Sequence, residues 1–359
     1  MGDWLNGRID KFEKVITVPI EDEDCIWEQI PDDAIVTAET RTTKTVRVKY
    51  VLTNELTIDR IRHLNTNVKP IKLDRKNRVI DNTLQKQKRI NCIDTVMAVI
   101  NVADFHLNRK IWGKSGYDKD YSLQIAEKVF KDSIDEIEIR LRACPYRIEK
   151  IVLNTAGDFL NSDTVLGTTT KGTPQINDSN WQESYMLAQD LLTYAILKLS
   201  NIAPVLHFYV AGNHDQMAGW YLVSWLKARF SGVSNVEIDD NPKTRQFVEY
   251  GHNLIVMAHG DNEGKRAIDL PFVEPEAKQK LYDKSNIEVL IGHGHKPNVT
   301  YKNGVRLEML ACACPVGDQW TYNMGYEDSK GEITIMYYNK DARIQQDTIY
   351  SRKYMTDEN

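Results

Sequence analysis

Residues 96–107 have the sequence VMAVINVADFHL, an apolar run that ends in an aspartate, a phenylalanine, a histidine and a leucine. A continuous apolar run of this length is typical of a strand that is buried on both faces. Four more polar blocks follow along the chain, and each one also comes directly after an apolar run. These blocks are Gly157-Asp158, Gly212-Asn213-His214-Asp215, His259-Gly260-Asp261 and Gly292-His293-Gly294-His295.

The apolar runs and the stretches between them predict an alternation of strands and helices. Strands are predicted at 96–102, 148–155, 205–210, 254–258 and 289–291. Residues 122–142 and 181–199 carry apolar side chains at the spacing of an amphipathic helix. Apolar strands separated by helices indicate a buried sheet covered on both faces, and side chains just past the carboxyl ends of such strands meet at one edge.

The last third of the chain contains more strand and turn signals. Residues 247–250 and 254–258 predict one hairpin, and residues 299–301 and 305–310 predict another. Residues 333–338 and a further strand near Thr348 close the sequence. A second sheet facing the first would give a four-layer α/β sandwich.

The five blocks contain five of the eight histidines, together with carboxylates and one carboxamide. Oxygen and nitrogen donors of this kind suit Mn, Fe, Zn and Mg, whereas a soft thiolate site would need paired cysteines. The five cysteines have no C-x-x-C pairing, which argues against a zinc ribbon or a disulfide framework. The chain is therefore predicted to be a binuclear metallohydrolase.

In order, the blocks D-x-H, G-D, G-N-H-D, H-G and G-H-x-H resemble those of the calcineurin-like metallophosphoesterase superfamily. They span residues 104–295. The resemblance implies an αββα sandwich with two divalent metal ions at the strand ends. Mn²⁺ is the metal expected first, with Fe, Zn and Mg as alternatives.

Carried over position by position, the resemblance implies seven metal ligands. The first metal is assigned Asp104, His106 and His295, the second Asn213, His259 and His293, and Asp158 bridges the two. A pair of ions of this kind can clamp a phosphoryl group and acidify a water for in-line attack.

His214 and Asp215 are implied to be catalytic. His214 follows a metal ligand directly and is expected to donate a proton to the leaving oxygen, or to contact a phosphate oxygen as a cation. Asp215 resembles the acidic partner that orients this imidazole.

Two details point to one branch of the superfamily. The D-x-H-L sequence at 104–107 resembles the DNA-repair exonucleases, and Asn161 stands where phosphoprotein phosphatases have an acid. The polar segment 166–174, rich in threonine and glycine, occupies the place of a loop over the site. It is expected either to contact a phosphate or sugar or to be a solvent loop.

The charge is segregated at the start of the chain. Of the net −5, residues 1–40 contribute −8 and residues 41–90 contribute +10, which leaves −7 for the remainder. The basic stretch, with Lys72, Arg75, Lys76 and Arg78 as candidate substrate-binding residues, is expected either to hold a polynucleotide backbone or to pair with the acidic first forty residues.

Two domains are expected, an N-terminal extension at 1–92 and the phosphoesterase domain at 93–359. The extension is expected to be a small α+β substrate-binding or capping unit. Residues 15–18 and 46–51 alternate as strands do, and 53–63 has a helical pattern.

The leading functional hypothesis is a metal-dependent phosphodiesterase that acts on nucleic acid, a nuclease of the DNA-repair exonuclease type. The alternatives are a phosphodiesterase for a small cyclic or signalling nucleotide, and a binding module with a vestigial metal site. The start of the sequence has no apolar core of a signal peptide, and no segment has the length of a membrane helix. A cytoplasmic protein without a membrane partner is therefore expected, with a homodimer possible.

Overall fold

The computed structural model describes residues 94–115, 119–317, 322–323 and 331–355, and the backbone of three strands between 14 and 52. The chain divides into two compact units, Met1–Lys72 and Leu73–Asn359. The candidate substrate-binding residues Lys72, Arg75, Lys76 and Arg78, the helix expected at 53–63 and the boundary expected after residue 92 lie outside the described residues.

The first unit contains an antiparallel sheet. Its strands are β1 (Lys14–Pro19), β2 (Ala34–Arg41) and β3 (Thr45–Leu52), with β3 in the middle. β1 and β3 contain the two strands that the alternating sequence predicts, whereas β2 was not expected. Its register shifts between Val36 and Ala38, which interrupts the alternation that would reveal a strand.

The second unit contains a six-stranded sheet in the order β14-β13-β4-β5-β6-β7. The strands are β4 (Thr95–Asn101), β5 (Arg147–Asn154), β6 (Val205–Phe208), β7 (Val236–Asp239), β13 (Glu332–Tyr338) and β14 (Arg343–Tyr350). β4 to β7 are parallel, and β13 and β14 extend the sheet in antiparallel fashion. The parallel part brings the carboxyl ends of its strands to one edge.

Three helices accompany this sheet, α1 (Leu123–Ala143), α2 (Trp181–Ser200) and α3 (Gln216–Arg229). The side chains of Ser122 and Asn180 cap α1 and α2 by accepting the backbone N–H of the third residue that follows. α1 buries apolar residues at helical spacing along one face, from Leu123 to Leu141.

The five-stranded second sheet has the order β11-β12-β10-β9-β8. Its strands are β8 (Arg245–Tyr250), β9 (Asn253–Ala258), β10 (Asn286–Ile291), β11 (Asn298–Lys302) and β12 (Val305–Met309). The predicted hairpins are β8–β9 and β11–β12, and β9, β10 and β12 are parallel. A 3₁₀ helix (Gly264–Asp269) and the short helices α4 (Leu270–Val273) and α5 (Pro275–Gln279) pack on the outer face of this sheet.

The inner faces of the two sheets meet in one apolar core. Met97 and Val152 of the first sheet pack in the same cluster as Ile255, Met257 and Leu290 of the second. All five side chains are buried completely. The structure thus confirms the expected αββα sandwich. Across the described part of the chain, every helix is too short or too polar to cross a lipid bilayer.

Candidate metal centre

The polar blocks lie at the carboxyl ends of five strands, two in the second sheet and three in the first. The residues concerned are Asp104 and His106 after β4, Asp158 after β5, Asn213 after β6, His259 after β9, and His293 and His295 after β10. The structure therefore brings together all seven of the ligands that the resemblance implies.

The first group consists of Asp104, His106 and His295, each of which offers a ligand atom within 4.8 Å of the others. The Nε2 atoms of His106 and His295 lie 3.2 Å apart, and Nε2 of His295 lies 3.5 Å from Oδ1 of Asp104. Burial and the charge of Arg109 hold the pKa of His106 well below its usual value, so this imidazole is neutral. Two imidazole lone pairs at such a distance repel unless a proton or a cation lies between them, which fits a metal site.

The second group consists of Asp158, His259 and His293. Nδ1 of His259 donates to the carbonyl of Ala156 at 2.8 Å, which leaves Nε2 facing two oxygen acceptors. These are Oδ2 of Asp158 at 3.1 Å and Oδ1 of Asn213 at 3.0 Å. Burial lowers the pKa of His259, but the charge and hydrogen bond of Asp158 outweigh it and raise this pKa to about 10. The site thus requires positive charge at Nε2, either a proton or a metal ion.

Asp158 connects the two groups. It belongs to the second group and also forms a third set with His106 and His214. Burial alone would raise the pKa of Asp158, but the charge of His259 and other interactions lower it to about 2. The carboxylate is therefore ionised. Its Oδ2 atom lies 3.1 Å from Nε2 of His259 and 4.0 Å from Nε2 of His214, so this oxygen faces both sets, whereas Oδ1 accepts the backbone N–H of His214 at 2.7 Å. This is the position expected of a ligand shared by two metal ions.

His214 is held by a neutral backbone group. Its Nδ1 atom lies 3.0 Å from the carbonyl oxygen of Asn161, and its Nε2 atom lies 4.0 Å from Oδ2 of Asp158. The ring also packs against that of His106, with 4.6 Å between the centroids. The free edge of His214 therefore faces the same space as the candidate ligands.

The structure corrects the predicted pairing of Asp215 with His214. The carboxylate of Asp215 accepts the backbone N–H groups of Asp158 and Leu160, both at 3.0 Å, and so lies behind the site. Burial, and then the charge of Asp158, raise the pKa of Asp215 to about 7. Asp215 holds the turn that carries Asp158, and we describe it as a positioning residue.

The ligands sit on a constrained backbone. Asp104, His106, Asp158, His293 and His295 all have positive φ values, between 49° and 63°. A non-glycine residue in this left-handed region costs on the order of 1 kcal/mol, and such residues cluster at functional sites. Gly212 is restricted in another way: it has no room for a side chain, because an added Cβ would lie 2.2 Å from the backbone nitrogen of Asp158.

Asp163 lies shortly after the Gly157-Asp158 block and is a structural residue that the sequence analysis did not identify. Its buried carboxylate accepts the backbone N–H groups of Met217 and Ala218 at the start of α3. It also accepts the hydroxyl of Thr170 at 2.8 Å. Met217 and Ala218 lie 54 and 55 residues away along the chain, so no local pattern could reveal these two contacts.

Comparison with known proteins gives one family match. A family model described as Calcineurin-like phosphoesterase matches residues 97–319. No curated protein sequence matches the chain.

Solved structures that match part of the chain include a predicted phosphoesterase from Streptococcus pneumoniae TIGR4. It has 11% identity, the match covers 71% of this chain and 90% of that chain, and the TM-score is 0.30. An archaeal phosphodiesterase has 15% identity, 70% and 100% coverage and a TM-score of 0.33. Vacuolar Protein Sorting 29 from Cryptosporidium parvum has 14% identity, 72% and 100% coverage and a TM-score of 0.32. Because the family model covers more than half of the sequence, the chain belongs to the calcineurin-like phosphoesterase family.

Proposed function

We propose that this protein is a binuclear metal-dependent phosphodiesterase that hydrolyses nucleic acid, a nuclease of the DNA-repair exonuclease type. The observation that carries the metal count is the position of Asp158, which forms one set of ligand atoms with His106 and His214 and another with His259 and His293. A single ion would leave one of these sets of donors without a cation.

The donor set fits two hard or intermediate divalent ions, with Mn²⁺ as the first choice. The first ion would be held by Asp104, His106 and His295, the second by Asn213, His259 and His293, and both by Asp158. When bound, two such ions supply positive charge for the scissile phosphate and a water that is acidic enough to attack at neutral pH.

His214 can donate a proton to the leaving oxygen. Because Nδ1 donates to the carbonyl of Asn161, a proton at Nε2 makes the ring a cation. A cationic ring in this position stabilises charge on the phosphate and can donate its Nε2 proton as the ester bond breaks. Asn161 and Asp215 act through the residues that they hold in place.

Nucleic acid is favoured as substrate by two features of the sequence. The D-x-H-L block at 104–107 resembles the DNA-repair exonucleases, and residues 41–90 carry a charge of +10. Lysine and arginine in such a stretch would displace counterions from a phosphate backbone.

A small cyclic or signalling nucleotide is the second candidate. Residues 91–359 carry a charge of −7, which would repel a long polyanion more strongly than a substrate with one or two phosphates.

The test is to incubate the full chain with Mn²⁺ and a panel of single-stranded, duplex and cyclic-nucleotide substrates, with elemental analysis of bound metal. We expect two metal ions per chain and the highest kcat/KM on a polynucleotide. His252→Asn is a suitable control, because His252 pairs with Asp341 in an exposed turn at the start of β9. A preference for cyclic nucleotides would favour the second candidate, and binding of polynucleotide without hydrolysis of any ester would contradict both.

A further inference from the structure

Residues 163–175 form an internally bonded loop beside the metal centre, which we name the 163–175 loop. The backbone N–H of Thr169 donates to the carbonyl of Thr173 at 2.8 Å, and that of Gly172 donates back to Thr169 at 2.9 Å. Gly172 has a φ of +91°, which permits the tight turn at the tip. The tip of the loop therefore has a defined backbone path.

Two anchors fix this loop against the site. At its base, Asp163 accepts N–H groups from the start of α3, as described above, and the hydroxyl of Thr170 bonds to the same carboxylate at 2.8 Å. At its tip, the backbone N–H of Thr170 donates to the carbonyl of Asn213 at 3.1 Å. Lys171 therefore follows a residue that is bonded directly to a candidate metal ligand.

The side chain of Lys171 spans from the loop to another part of the metal centre. Its Nζ lies 3.7 Å from Oδ2 of Asp261, which is two residues past the candidate ligand His259. The ammonium group thus lies at the rim of the half-site formed by Asn213, His259 and His293.

This ion pair is weak and easily exchanged. A charge-assisted hydrogen bond is about 2.7–2.9 Å long, so a separation of 3.7 Å is too great for one. The side chain of Lys171 is 74% exposed, whereas that of Asp261 is 11% exposed. Water screens such a pair, and an anionic oxygen of a ligand can replace Asp261 at little cost.

We propose that Lys171 is a specificity-determining residue that binds a phosphate next to the scissile one in a nucleotide substrate, and that this phosphate replaces Asp261 as the partner of its ammonium group. The scissile phosphate itself belongs near Asp158, which is 1% exposed, and Lys171 lies outside that buried centre. Lysine suits this role because it is a compact charge on a flexible stem. This inference rests on the proposed phosphodiesterase activity and adds the feature of the substrate that the site selects.

The test compares two dinucleotides with the same scissile bond. TpT has a single phosphate, whereas pTpTp has an additional phosphate on each side. For Lys171→Met we expect the ratio of KM for pTpTp to KM for TpT to rise by about 2- to 5-fold, the usual size of an exposed charged contact. Lys150→Met is the matched control, because Lys150 forms a similarly long pair, 3.9 Å from Glu237, on β5 away from the carboxyl end. Its ratio should equal that of the unaltered chain.

For Asp261→Asn we expect KM for pTpTp to change in the opposite direction. Removing the competing carboxylate should lower KM for pTpTp, and this gain should vanish when Lys171 is already Met. A purely structural role of Lys171 would not produce this dependence on the second phosphate. An unchanged ratio in Lys171→Met, with TpT hydrolysed normally, would overturn the inference and leave the proposed function in place.

Binding supplies a readout that is independent of turnover. Fluorescence anisotropy of a labelled oligothymidylate gives the binding constant at each salt concentration. In Lys171→Met the slope of log binding constant against log salt concentration should become shallower by about 0.7, the equivalent of one phosphate contact. If no phosphodiester were hydrolysed while this slope still fell, the proposed function would fail and the phosphate contact would stand. Equal slopes in both proteins would overturn the contact.

Discussion

The imidazole of His214 is oriented by a carbonyl oxygen, that of Asn161, at 3.0 Å from Nδ1. A backbone carbonyl is neutral and fixed by the chain, so it sets the tautomer of the ring without adding a negative charge beside the metal centre. The carboxylate that was expected in this role, Asp215, is turned toward the backbone of Asp158 and Leu160.

His214→Ala should reduce kcat by about 10²- to 10⁴-fold, the usual contribution of a positioned acid or base, while bound metal stays near two per chain. Asn161→Ala is the matched control, because it keeps the carbonyl that bonds to His214. We expect its loss of kcat to be at least tenfold smaller. Loss of metal in His214→Ala would instead identify His214 as a ligand.

Asp158→Asn should weaken both halves of the metal centre at once, because this carboxylate is shared by the two ligand groups. Elemental analysis should show less than one metal ion per chain, and hydrolysis should fall below detection. If the variant kept one tightly bound ion, Asp158 would belong to one half only.

Gly212→Ala should disrupt the site through sterics alone. Its Cβ would lie 2.2 Å from both the nitrogen and Oδ1 of Asp158, and the strain should lower the free energy of unfolding by more than about 2 kcal/mol. Gly304→Ala is the control, since Gly304 has a φ of +78° and open space around its Cβ position. It should cost about 1 kcal/mol and leave metal content intact. Denaturant titration with metal analysis checks both variants.

The metal-free protein should lose stability as the pH rises. The pKa of His259 is raised from 6.5 to about 10 in the folded state, so its ion pair with Asp158 stabilises the fold fully below about pH 6.5. That contribution should disappear as the pH approaches 10, because the proton leaves His259. Thermal melts in chelator between pH 6 and pH 10 would show the decline. Saturating Mn²⁺ should flatten it, since the ion takes over the positive charge.

Changing Lys72, Arg75, Lys76 and Arg78 to glutamate tests the basic stretch of the N-terminal region. If these residues lie against a polynucleotide, the log–log salt dependence of binding should flatten by about 0.7 per lost contact. Hydrolysis of bis-p-nitrophenyl phosphate should continue, because this ester offers no polynucleotide backbone. An unchanged salt dependence would favour the small-nucleotide alternative.

The sandwich and the placement of the ligands could be predicted because a buried parallel strand leaves a strong signal. The run at 96–102 and the other apolar runs mark strands, and the polar block after each one must lie at the common edge. Short edge elements give no such signal. β7 has four residues with only one of them buried, and it was not expected.

Contacts made through the backbone could not be predicted. Asp215 and Asp163 both bind N–H groups far away along the chain, and any acidic residue in the sequence has the same appearance. α3 was also not expected, because only Leu222, Val223 and Leu226 of its fourteen residues are buried, which gives a weak amphipathic pattern. The sequence thus indicates which residues lie at the site. Which acidic residues position the site by binding backbone N–H groups is determined only by the folded backbone.

The two sheets divide the ligands between them. Asp104, His106, Asp158 and Asn213 follow strands of the six-stranded sheet, and His259, His293 and His295 follow strands of the other. Each metal group therefore contains residues from both sheets, so a bound ion would cross-link the two sheets. A ligand at 100 times its dissociation constant adds about 2.7 kcal/mol to folding. By the same linkage, we expect a core substitution such as Met257→Ala, which removes packing between the sheets two residues before His259, to weaken metal binding.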